Sequence, residues 1–435
     1  MRVQPAGESN MSIATPLSER IAAAIPRGVS VPIPILAHHA SGAEIWDAEG
    51  RRYIDFGGGI AVLNVGHRHP HVMAAVRAQL DAFTHTCFGV TPYEPYIKLA
   101  ERMNQIAPIR GPKKTIFLTT GAEAVENAVK IARHATGRSA IISFTGGFHG
   151  RTLMALALTG KINPYKVGFG PFPADTFHAP FPDAYRGGSA EKSLAAIESL
   201  FKSSVEPSRV AAIVIEPVQG EGGFNVAPFD FLRDLRTLCD RHGIVFIADE
   251  IQTGFGRTGR MFAVEHAGVE PDIITIAKSM AGGFPLSGVI GRAAIMDSVA
   301  PGGLGGTFAG SPVSCAAALA VLDVFRDEHV LERAEKQGVM VRARLEVIRE
   351  RFPVIGDVRG LGAMLAIELV RDRVTREPAP ELASRLAKVA AERGLILLTA
   401  GIYSNVIRIL APLTASPELM DEGLTILEEA LADLH

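Results

Sequence analysis

Short apolar runs alternate with amphipathic stretches along most of this chain. The runs are Thr115 to Leu118, Ala140 to Phe144, Val210 to Ile215, Ile244 to Ala248, Ile273 to Ile276 and Gly288 to Gly291. Strands that are apolar along their length are buried on both faces, which is typical of a mostly parallel sheet covered by helices. The segments Ala122 to Ala135 and Phe229 to Arg241 predict such helices. The alternation therefore predicts an α/β fold.

The pattern changes from about Asp323 onward. Long charged stretches such as VLERAEKQGVMVRARLEVIRERF predict helices, and two strand-like pieces follow around Met364 and Ile407. A chain of 435 residues also exceeds the size at which one hydrophobic core usually stops growing. We therefore expect residues 71–325 to form a large domain, and residues 326–435 to form a smaller α+β domain to which residues 1–70 contribute.

Composition and charge narrow the classes of partner. The formal net charge is -2 and the basic residues are scattered, so nothing indicates binding to nucleic acid or to a membrane surface. The N-terminus has no apolar core of a signal peptide, and no apolar run reaches the roughly 18 residues that cross a bilayer. The distant cysteines Cys87, Cys239 and Cys315 argue against a disulfide framework and a cysteine zinc site. We expect a cytoplasmic protein that binds small molecules and no metal.

Two reactive side chains follow buried strands. The run IVFIAD ends at Asp249 and the run DIITIAK ends at Lys278. Because ligands of open α/β sheets bind at the carboxyl ends of the strands, both groups would face one crevice. Pyridoxal 5'-phosphate (PLP) requires this pair, an amine for the Schiff base and a carboxylate that keeps the pyridine nitrogen protonated. Taken alone, however, Asp249 could cap a turn and Lys278 could be a solvated lysine.

Two turns could complete such a site. In KTIFLTTGAEAVENAVKIA, Thr120 and Glu123 have the spacing of a capping box, which leaves the amides of Gly121 and Ala122 free for a phosphate, although any well-capped helix has this appearance. The glycine-rich turn TGGFHGRT follows the strand AIISF and presents side chains with aromatic, imidazole and guanidinium groups. These are Phe148, His149 and Arg151. An aromatic ring could stack on a pyridine and the arginine could bind a carboxylate, whereas the alternative is a surface turn.

Other motifs indicate competing chemistries. GFGRTG at Gly254 to Gly259 satisfies the dinucleotide pattern G-x-G-x-x-G and would suggest a nicotinamide oxidoreductase, but its glycines begin several residues after the strand. His67, His69 and His71 lie in a proline-broken loop without an adjacent carboxylate, so we interpret them as structural. No serine-hydrolase elbow and no P-loop occurs.

Together these residues closely resemble the class III, or ω-amino-acid, aminotransferases, and within them the bacterial 4-aminobutyrate aminotransferases. The matching segments are AIPRGV, YIDFGGGIAVLNVGHRHP, YEP, TTGAEAVENAVKIAR, GGFHGRT, LALTGK, IEPVQGEGGF, IADEIQTGFGRTG, PDIITIAKSMAGGFPLSGV, PGGLGGTFAGSP, GDVRGLGAM, GLILL and NVIRILAPLT. They cover nearly the whole chain past its first 20 residues, in the order of the family. The resemblance implies PLP fold type I, with a seven-stranded sheet, and a homodimer with shared active sites that could pair into a tetramer.

The resemblance also implies individual roles at the cofactor. Lys278 would carry the Schiff base, Asp249 would pair with the pyridine nitrogen, and Gln252 would contact the ring hydroxyl. The remaining cofactor positions are Gly121 and Ala122 at the phosphate, Phe148, His149 and Glu216 near the ring, and Thr307 at the phosphate of the partner subunit. Many relatives have serine where this chain has Ala122, so one hydroxyl contact with the phosphate would be absent.

Four further positions match the substrate set of 4-aminobutyrate enzymes: Ile60, Arg151, Glu221 and Arg408. Arg151 would bind the carboxylate of 4-aminobutyrate while Glu221 neutralises Arg408, and Glu221 would release Arg408 for the α-carboxylate of 2-oxoglutarate. The resemblance thus implies conversion of 4-aminobutyrate to succinic semialdehyde and of 2-oxoglutarate to glutamate in a ping-pong cycle. Alternatives are another ω-amine as donor, such as 5-aminovalerate, β-alanine, ornithine or a diamine, or a class III racemase or epimerase.

Overall fold

The computed structural model of the protein describes residues 16–434, so the first fifteen residues of the expected N-terminal segment, and His435, lie outside the described part. The strands in that part are β1 (Ala37–Ser41), β2 (Glu44–Asp47), β3 (Arg52–Asp55), β4 (Lys113–Leu118), β5 (Ala140–Phe144), β6 (Thr176–Ala179), β7 (Val210–Ile215), β8 (Val218–Gln219), β9 (Asn225–Val226), β10 (Val245–Asp249), β11 (Ile273–Ile276), β12 (Ser287–Arg292), β13 (Ile355–Leu361), β14 (Met364–Leu369), β15 (Leu395–Ile396), β16 (Leu398–Ala400) and β17 (Val406–Ile409). The α-helices are α1 (Leu17–Ala24), α2 (Gly58–Ala61), α3 (Pro70–Ala82), α4 (Glu94–Ile106), α5 (Gly121–Thr136), α6 (Leu153–Leu158), α7 (Ala190–Ser203), α8 (Phe229–His242), α9 (Ala293–Met296), α10 (Pro312–Asp327), α11 (Val330–Arg351), α12 (Pro380–Glu392) and α13 (Pro417–Ala432).

A seven-stranded sheet in the order β4-β12-β11-β10-β7-β5-β6 forms the centre of the fold. Only β12 runs against its neighbours in this sheet, which confirms the predicted α/β class with a mostly parallel sheet. All six predicted strands are present. The strand β6 was not predicted, because it is a short edge strand in which only Ala179 is fully buried.

Helices cover both faces of this sheet. Along β7, Val214 belongs to the core that contains Val125 of α5, whereas Ile213 belongs to the core that contains Phe231 of α8. Successive side chains of a strand point to opposite faces, so a run that is apolar at every position fills both layers. Burial of each such side chain contributes about 1.5–3 kcal/mol. Because both faces of these strands are buried, the strands could be predicted from continuous apolar runs in the sequence.

Besides the two-stranded sheet of β8 and β9, the described residues form two four-stranded sheets. The four-stranded antiparallel sheet β13-β14-β17-β16 contains the predicted strand-like pieces around Met364 and Ile407. The other sheet, β1-β2-β3-β15, joins strands from the two ends of the chain, because β15 pairs with β3 in parallel. We propose on this basis that the described residues of the segments 1–70 and 326–435 form the small domain and residues 71–325 the large one.

Candidate active site

A cavity of about 650 Å³ opens at the carboxyl ends of the central strands. It is lined by residues from the loops that follow five strands of the sheet, including the start of α5, and by one residue that follows α2. These are Val62, Thr119, Thr120, Gly121, Ala122, Phe148, His149, Gly150, Arg151, Thr152, Glu216, Asp249, Ile251, Gln252, Ala277, Lys278, Gly283, Phe284, Pro285 and Leu286. The direction of the parallel strands explains this convergence, since the loops after β4, β5, β7, β10 and β11 all leave the sheet at one edge.

Asp249 is held in place by donors on three sides. Its Oδ2 lies 2.7 Å from Nδ1 of His149, and its Oδ1 accepts hydrogen bonds from Oγ1 of Thr275 at 2.9 Å and from the amide of Ile251 at 3.2 Å. Both members of the aspartate–histidine pair are buried. Burial alone would lower the pKa of His149, but the hydrogen bond and the charge of Asp249 outweigh it and raise that pKa. The carboxylate therefore has a fixed orientation at the cavity.

Lys278 stands at the end of β11 with a left-handed backbone, φ 50°. This conformation is unfavourable for a residue with a side chain, and it concentrates at functional sites. The amine has no hydrogen bond or ion pair with any residue in the range 16–434. Burial lowers the pKa of Lys278, while Glu221 opposes this shift and Arg408 strengthens it. A lysine of lowered pKa, open to the cavity and without a protein partner, can act as a nucleophile or a base.

The first turn of α5 faces the same cavity. Its predicted capping box is present, because Oγ1 of Thr120 accepts from the amide of Glu123 at 3.3 Å and Oε2 of Glu123 accepts from the amide of Thr120 at 2.8 Å. The amides of Gly121 and Ala122 are not used by this cap. A helix N-terminus with free amides favours a bound anion through its unpaired donors and its dipole.

Glu216 connects two turns beside the cavity. Its carboxylate accepts from the amide of Phe148 at 2.9 Å and from the amide of Gly220 at 3.0 Å. Burial raises the pKa of Glu216 to about 7, and the nearby charge of Asp249 acts in the same direction. Glu216 thereby ties the turn that presents Phe148 and His149 to the turn that precedes Glu221.

Two arginines near the cavity differ in their surroundings. Arg408 of β17 is buried and forms an ion pair with Glu221, and its Nη2 donates to the carbonyl of Thr399 at 3.2 Å. Burial would raise the pKa of Glu221, but the charge of Arg408 outweighs it and lowers that pKa. Arg151, in contrast, has no carboxylate partner within the described residues, and its guanidinium lies 5.0 Å from the ring centre of Tyr165. One arginine is thus neutralised and the other is available to an anion.

The remaining predicted positions divide into those at the cavity and those away from it. Gln252 lines the cavity, and its buried Oε1 has no hydrogen-bond partner among the described residues. Ile60 and Thr307 are exposed and do not belong to the cavity lining of this single chain. Tyr165 was not predicted at all. It lies in the loop that follows the segment LALTGK, and nothing in the spacing of that loop indicates a contact with Glu221.

The two competing motifs have structural roles. Within GFGRTG no helix begins, and Arg257 is fully buried with its Nη1 donating to the carbonyl of Ala411 at 2.8 Å. The histidines bind different carboxylates, His67 to Asp55 at 2.8 Å and His69 to Glu328 at 2.8 Å. GFGRTG thus lacks the strand-turn-helix of a dinucleotide site, and the described histidines of the second motif do not converge on one metal position.

Comparison with known proteins identifies the family to which the chain belongs. A model of the family "Aminotransferase class-III" matches residues 25–431. The chain belongs to the class III aminotransferases. These enzymes depend on PLP, so the protein is a PLP-dependent transaminase, and the alternative of a nicotinamide oxidoreductase is excluded. The predicted family and cofactor are confirmed.

Several relatives of this class III aminotransferase cover almost the entire chain. The 5-aminovalerate aminotransferase DavT of Pseudomonas putida is 54% identical over 418 residues, which cover 96% of this chain and 98% of the relative. The 4-aminobutyrate aminotransferase GabT of Escherichia coli is 54% identical over 413 residues, which cover 95% and 97%. Among solved structures, an amine transaminase of an uncultivated Pseudomonas species in its PLP-bound form has a TM-score of 0.87 at 32% identity, covering 95% of this chain and 97% of that chain.

The residues of this chain fit the cofactor of the family. The cavity contains an unpaired lysine amine, a fixed carboxylate, a helix N-terminus with free amides, and the unsatisfied Oε1 of Gln252. A buried polar atom without a partner is costly, so it marks a position where a bound group supplies the missing donor. The ring hydroxyl of PLP is a donor of this kind.

Proposed function

We propose that the protein is a 4-aminobutyrate:2-oxoglutarate aminotransferase, which produces succinic semialdehyde and glutamate in a ping-pong cycle. The observation that carries this proposal is the pairing state of the two arginines near the cavity. Arg408 is neutralised by Glu221 while Arg151 is unpaired. A donor with one carboxylate, far from its amine, requires one free arginine and is served best when the second is masked.

The residues around the cavity suggest how the cofactor would be held. PLP supplies a carbonyl carbon that condenses with amines and a ring that delocalises the electrons of a broken C–H bond. Lys278 would provide the anchoring amine, Asp249 with His149 would keep the ring nitrogen protonated, and the amides of Gly121 and Ala122 would bind the phosphate. Phe148 would lie near the ring, Gln252 would accept from its hydroxyl, and Glu216 would fix the two adjoining turns.

In the first half-reaction, Arg151 would bind the carboxylate of 4-aminobutyrate and set the position of its amine. With the substrate in place, the amine of Lys278 would take the proton from the substrate carbon that carries the nitrogen. Burial lowers the pKa of Lys278, which favours the neutral amine needed for this transfer. Ile60, which is exposed and outside the cavity lining of the single chain, would contact the substrate, as the resemblance to the family implies.

In the second half-reaction, a second carboxylate must be bound. When 2-oxoglutarate enters, Glu221 would leave Arg408, which would then bind the α-carboxylate, while Arg151 would bind the γ-carboxylate. The exchange is feasible because the α-carboxylate replaces one anionic partner of Arg408 with another, so the buried guanidinium never stays without a partner. The same site would thereby accept a donor with one carboxylate and an acceptor with two.

We also propose a homodimer in which Thr307 reaches the phosphate in the partner subunit. The support is that Thr307 is exposed and lies outside the cavity of its own chain, next to the exposed Phe308. Two such dimers could pair into a tetramer.

A cytoplasmic location is part of the proposal. Cys87, Cys239 and Cys315 are free thiols, as expected in a reducing compartment. No helix among residues 16–434 is long and apolar enough to cross a membrane.

A second donor, 5-aminovalerate, has a specific observation in its favour. The DavT enzymes of two Pseudomonas species are 54% and 55% identical to this chain, as similar as the 4-aminobutyrate enzyme at 54%. The two donors differ by one methylene group, and one methylene discriminates substrates by only about 10–200-fold. Both could therefore react.

The test is a half-reaction without acceptor. We would follow the absorption of the purified protein near 400 nm while adding 4-aminobutyrate, 5-aminovalerate or β-alanine at matched concentrations. Faster loss of the band with 4-aminobutyrate, and its return with 2-oxoglutarate, are expected. If only 5-aminovalerate changes the band, the donor is 5-aminovalerate and not 4-aminobutyrate. If no ω-amine changes the band, the proposal is refuted. Loss of optical activity of an amino acid without an acceptor would instead indicate a racemase.

A further inference from the structure

Tyr165 contacts both charged ends of the substrate site. Its hydroxyl donates to Oε2 of Glu221 at 3.3 Å, while the guanidinium of Arg151 lies 5.0 Å from its ring centre. The ring also packs against Phe148, with ring centres 4.9 Å apart. Among residues 16–434, Tyr165 is the residue that combines a hydrogen bond to Glu221 with a ring contact to Arg151.

The loop that carries Tyr165 is hydrogen-bonded to the loop that contains Gly401, and this second loop is hydrogen-bonded to the backbone of Glu221. Nζ of Lys161 donates to the carbonyl of Gly401 at 2.7 Å, and the amide of Gly401 donates to the carbonyl of Glu221 at 3.0 Å. Tyr165 thus holds the side chain of Glu221, while Lys161 and Gly401 hold its backbone. The position of Glu221 depends on this loop as well as on Arg408.

We propose that Tyr165 is a specificity-determining residue, whose hydroxyl stabilises Glu221 in the position that masks Arg408 and whose ring supports Arg151. The inference rests on the proposed function, because the masked state matters only for donors that lack an α-carboxylate. The hydroxyl favours donors such as 4-aminobutyrate, and its loss shifts the preference toward glutamate.

The hydrogen bonds of Glu221 indicate how loss of the Tyr165 hydroxyl would change the preference between the two donors. Oε1 of Glu221 binds Arg408, and Oε2 has the Tyr165 hydroxyl as its donor. Burial raises the pKa of Tyr165 to about 12, so the hydroxyl keeps its proton at neutral pH and acts as a donor. A hydrogen bond to a charged group stabilises its bound state by about tenfold or more. Without it, Glu221 leaves Arg408 more readily.

The experiment compares two donors in single-turnover half-reactions of the holoenzyme, 4-aminobutyrate and glutamate, at concentrations below saturation. Glutamate uses Arg408 and Arg151, whereas 4-aminobutyrate uses Arg151 and needs Arg408 masked. For Tyr165→Phe we expect the rate with 4-aminobutyrate to fall about tenfold, while the rate with glutamate stays within about twofold or rises. Tyr165→Leu, which also lacks the ring, should slow both donors several-fold because both bind Arg151.

Tyr185→Phe is the matched control. Tyr185 also has arginine side chains over its ring, at 5.2 Å and 4.8 Å, and its buried hydroxyl has no partner among the described residues. Neither rate should change in this variant. A cofactor band in Tyr165→Phe equal to that of the unmodified protein shows that the variant is folded.

Equal rate losses for the two donors in Tyr165→Phe, or no loss for either, would overturn the inference. The failure of the proposed function gives a different result, since the unmodified protein would then convert glutamate but neither 4-aminobutyrate nor 5-aminovalerate. In that outcome the inference fails together with the function on which it rests.

Discussion

The proposed cofactor end and the proposed substrate end of the candidate active site are built in different ways. Asp249 and Lys278 stand at the ends of neighbouring strands of one sheet, and Asp249 is fixed by His149 and Thr275. Arg408 belongs to another sheet, and Glu221, Tyr165 and Arg151 lie on loops. The cofactor end is rigid because its supports are ladder-bonded strands. The substrate end is held by side-chain contacts that can exchange, as a site that accepts two different acids requires.

The largest effect is expected at the rigid end. Lys278→Ala removes the anchoring amine and the proposed base, so the half-reaction should slow by at least about a thousandfold. Stopped-flow absorption with 4-aminobutyrate measures this loss. Lys278→Arg is the control, because it keeps a positive charge that cannot deprotonate. If Lys278→Arg retained activity near that of the unmodified protein, the role of a neutral amine would be wrong.

A smaller and selective effect is expected at the exchangeable end. Glu221→Gln leaves the buried Arg408 unmasked, so the half-reaction with 4-aminobutyrate should slow by about a hundredfold, whereas glutamate should react at least as well as before. The ratio of the two rates is the measurement. Glu221→Asp retains the charge and should show a much smaller change in this ratio. If Glu221→Gln lowered the rate equally for both donors, Glu221 would not act by masking Arg408, and the contrast between a rigid and an exchangeable end would be wrong.

Arg151→Lys sharpens the comparison further. Lysine keeps the charge but lacks the planar fork that binds a carboxylate through two parallel hydrogen bonds. We expect both donors to bind about tenfold more weakly, with little change in the rate at saturation, because both use this residue as an anchor. Saturation curves of the half-reaction give the two values separately. A change in rate at saturation without a change in binding would contradict the anchoring role.

The smallest effect concerns the connection between the two ends. The folded protein raises the pKa of Glu216 from its ordinary 4.5 to about 7, so it binds a proton there more tightly than the unfolded chain does. The resulting stabilisation is present below pH 4.5 and is lost as the pH rises through about 7. Its size is about 3 kcal/mol.

Glu216→Gln should therefore remove a decline in the free energy of unfolding between these two pH values, which denaturant titrations at a series of pH values measure. Glu250 offers a matched comparison, because burial also raises its pKa to about 7 while its carboxylate binds the amides of Ala263 and Val264. Glu250→Gln should change the pH dependence of stability in the same direction. An unchanged slope in Glu216→Gln would show that this carboxyl titrates normally.

The sequence by itself determined six strands of the central sheet and the placement of Asp249 and Lys278 at the ends of two of them. Asp249 and Lys278 could be placed because each directly follows an apolar run, and strands buried on both faces are readable without knowledge of their neighbours. The capping box of Thr120 and Glu123 was equally local, since the two residues are three positions apart. The pairing of Glu221 with Arg408 came only from the resemblance to the family.

Tertiary structure alone decided the contacts across loops. Tyr165 and Glu221 are 56 positions apart and Arg408 is 187 positions beyond Glu221, so no spacing rule relates them. Arg257 shows the same limit, because its motif suggests a nucleotide and only the packing of Ala411 against it reveals a structural role. Hydrophobic periodicity follows from local backbone geometry, so it can be recognised in the sequence alone. The meeting of polar side chains depends on how distant segments pack, and only the folded chain specifies it.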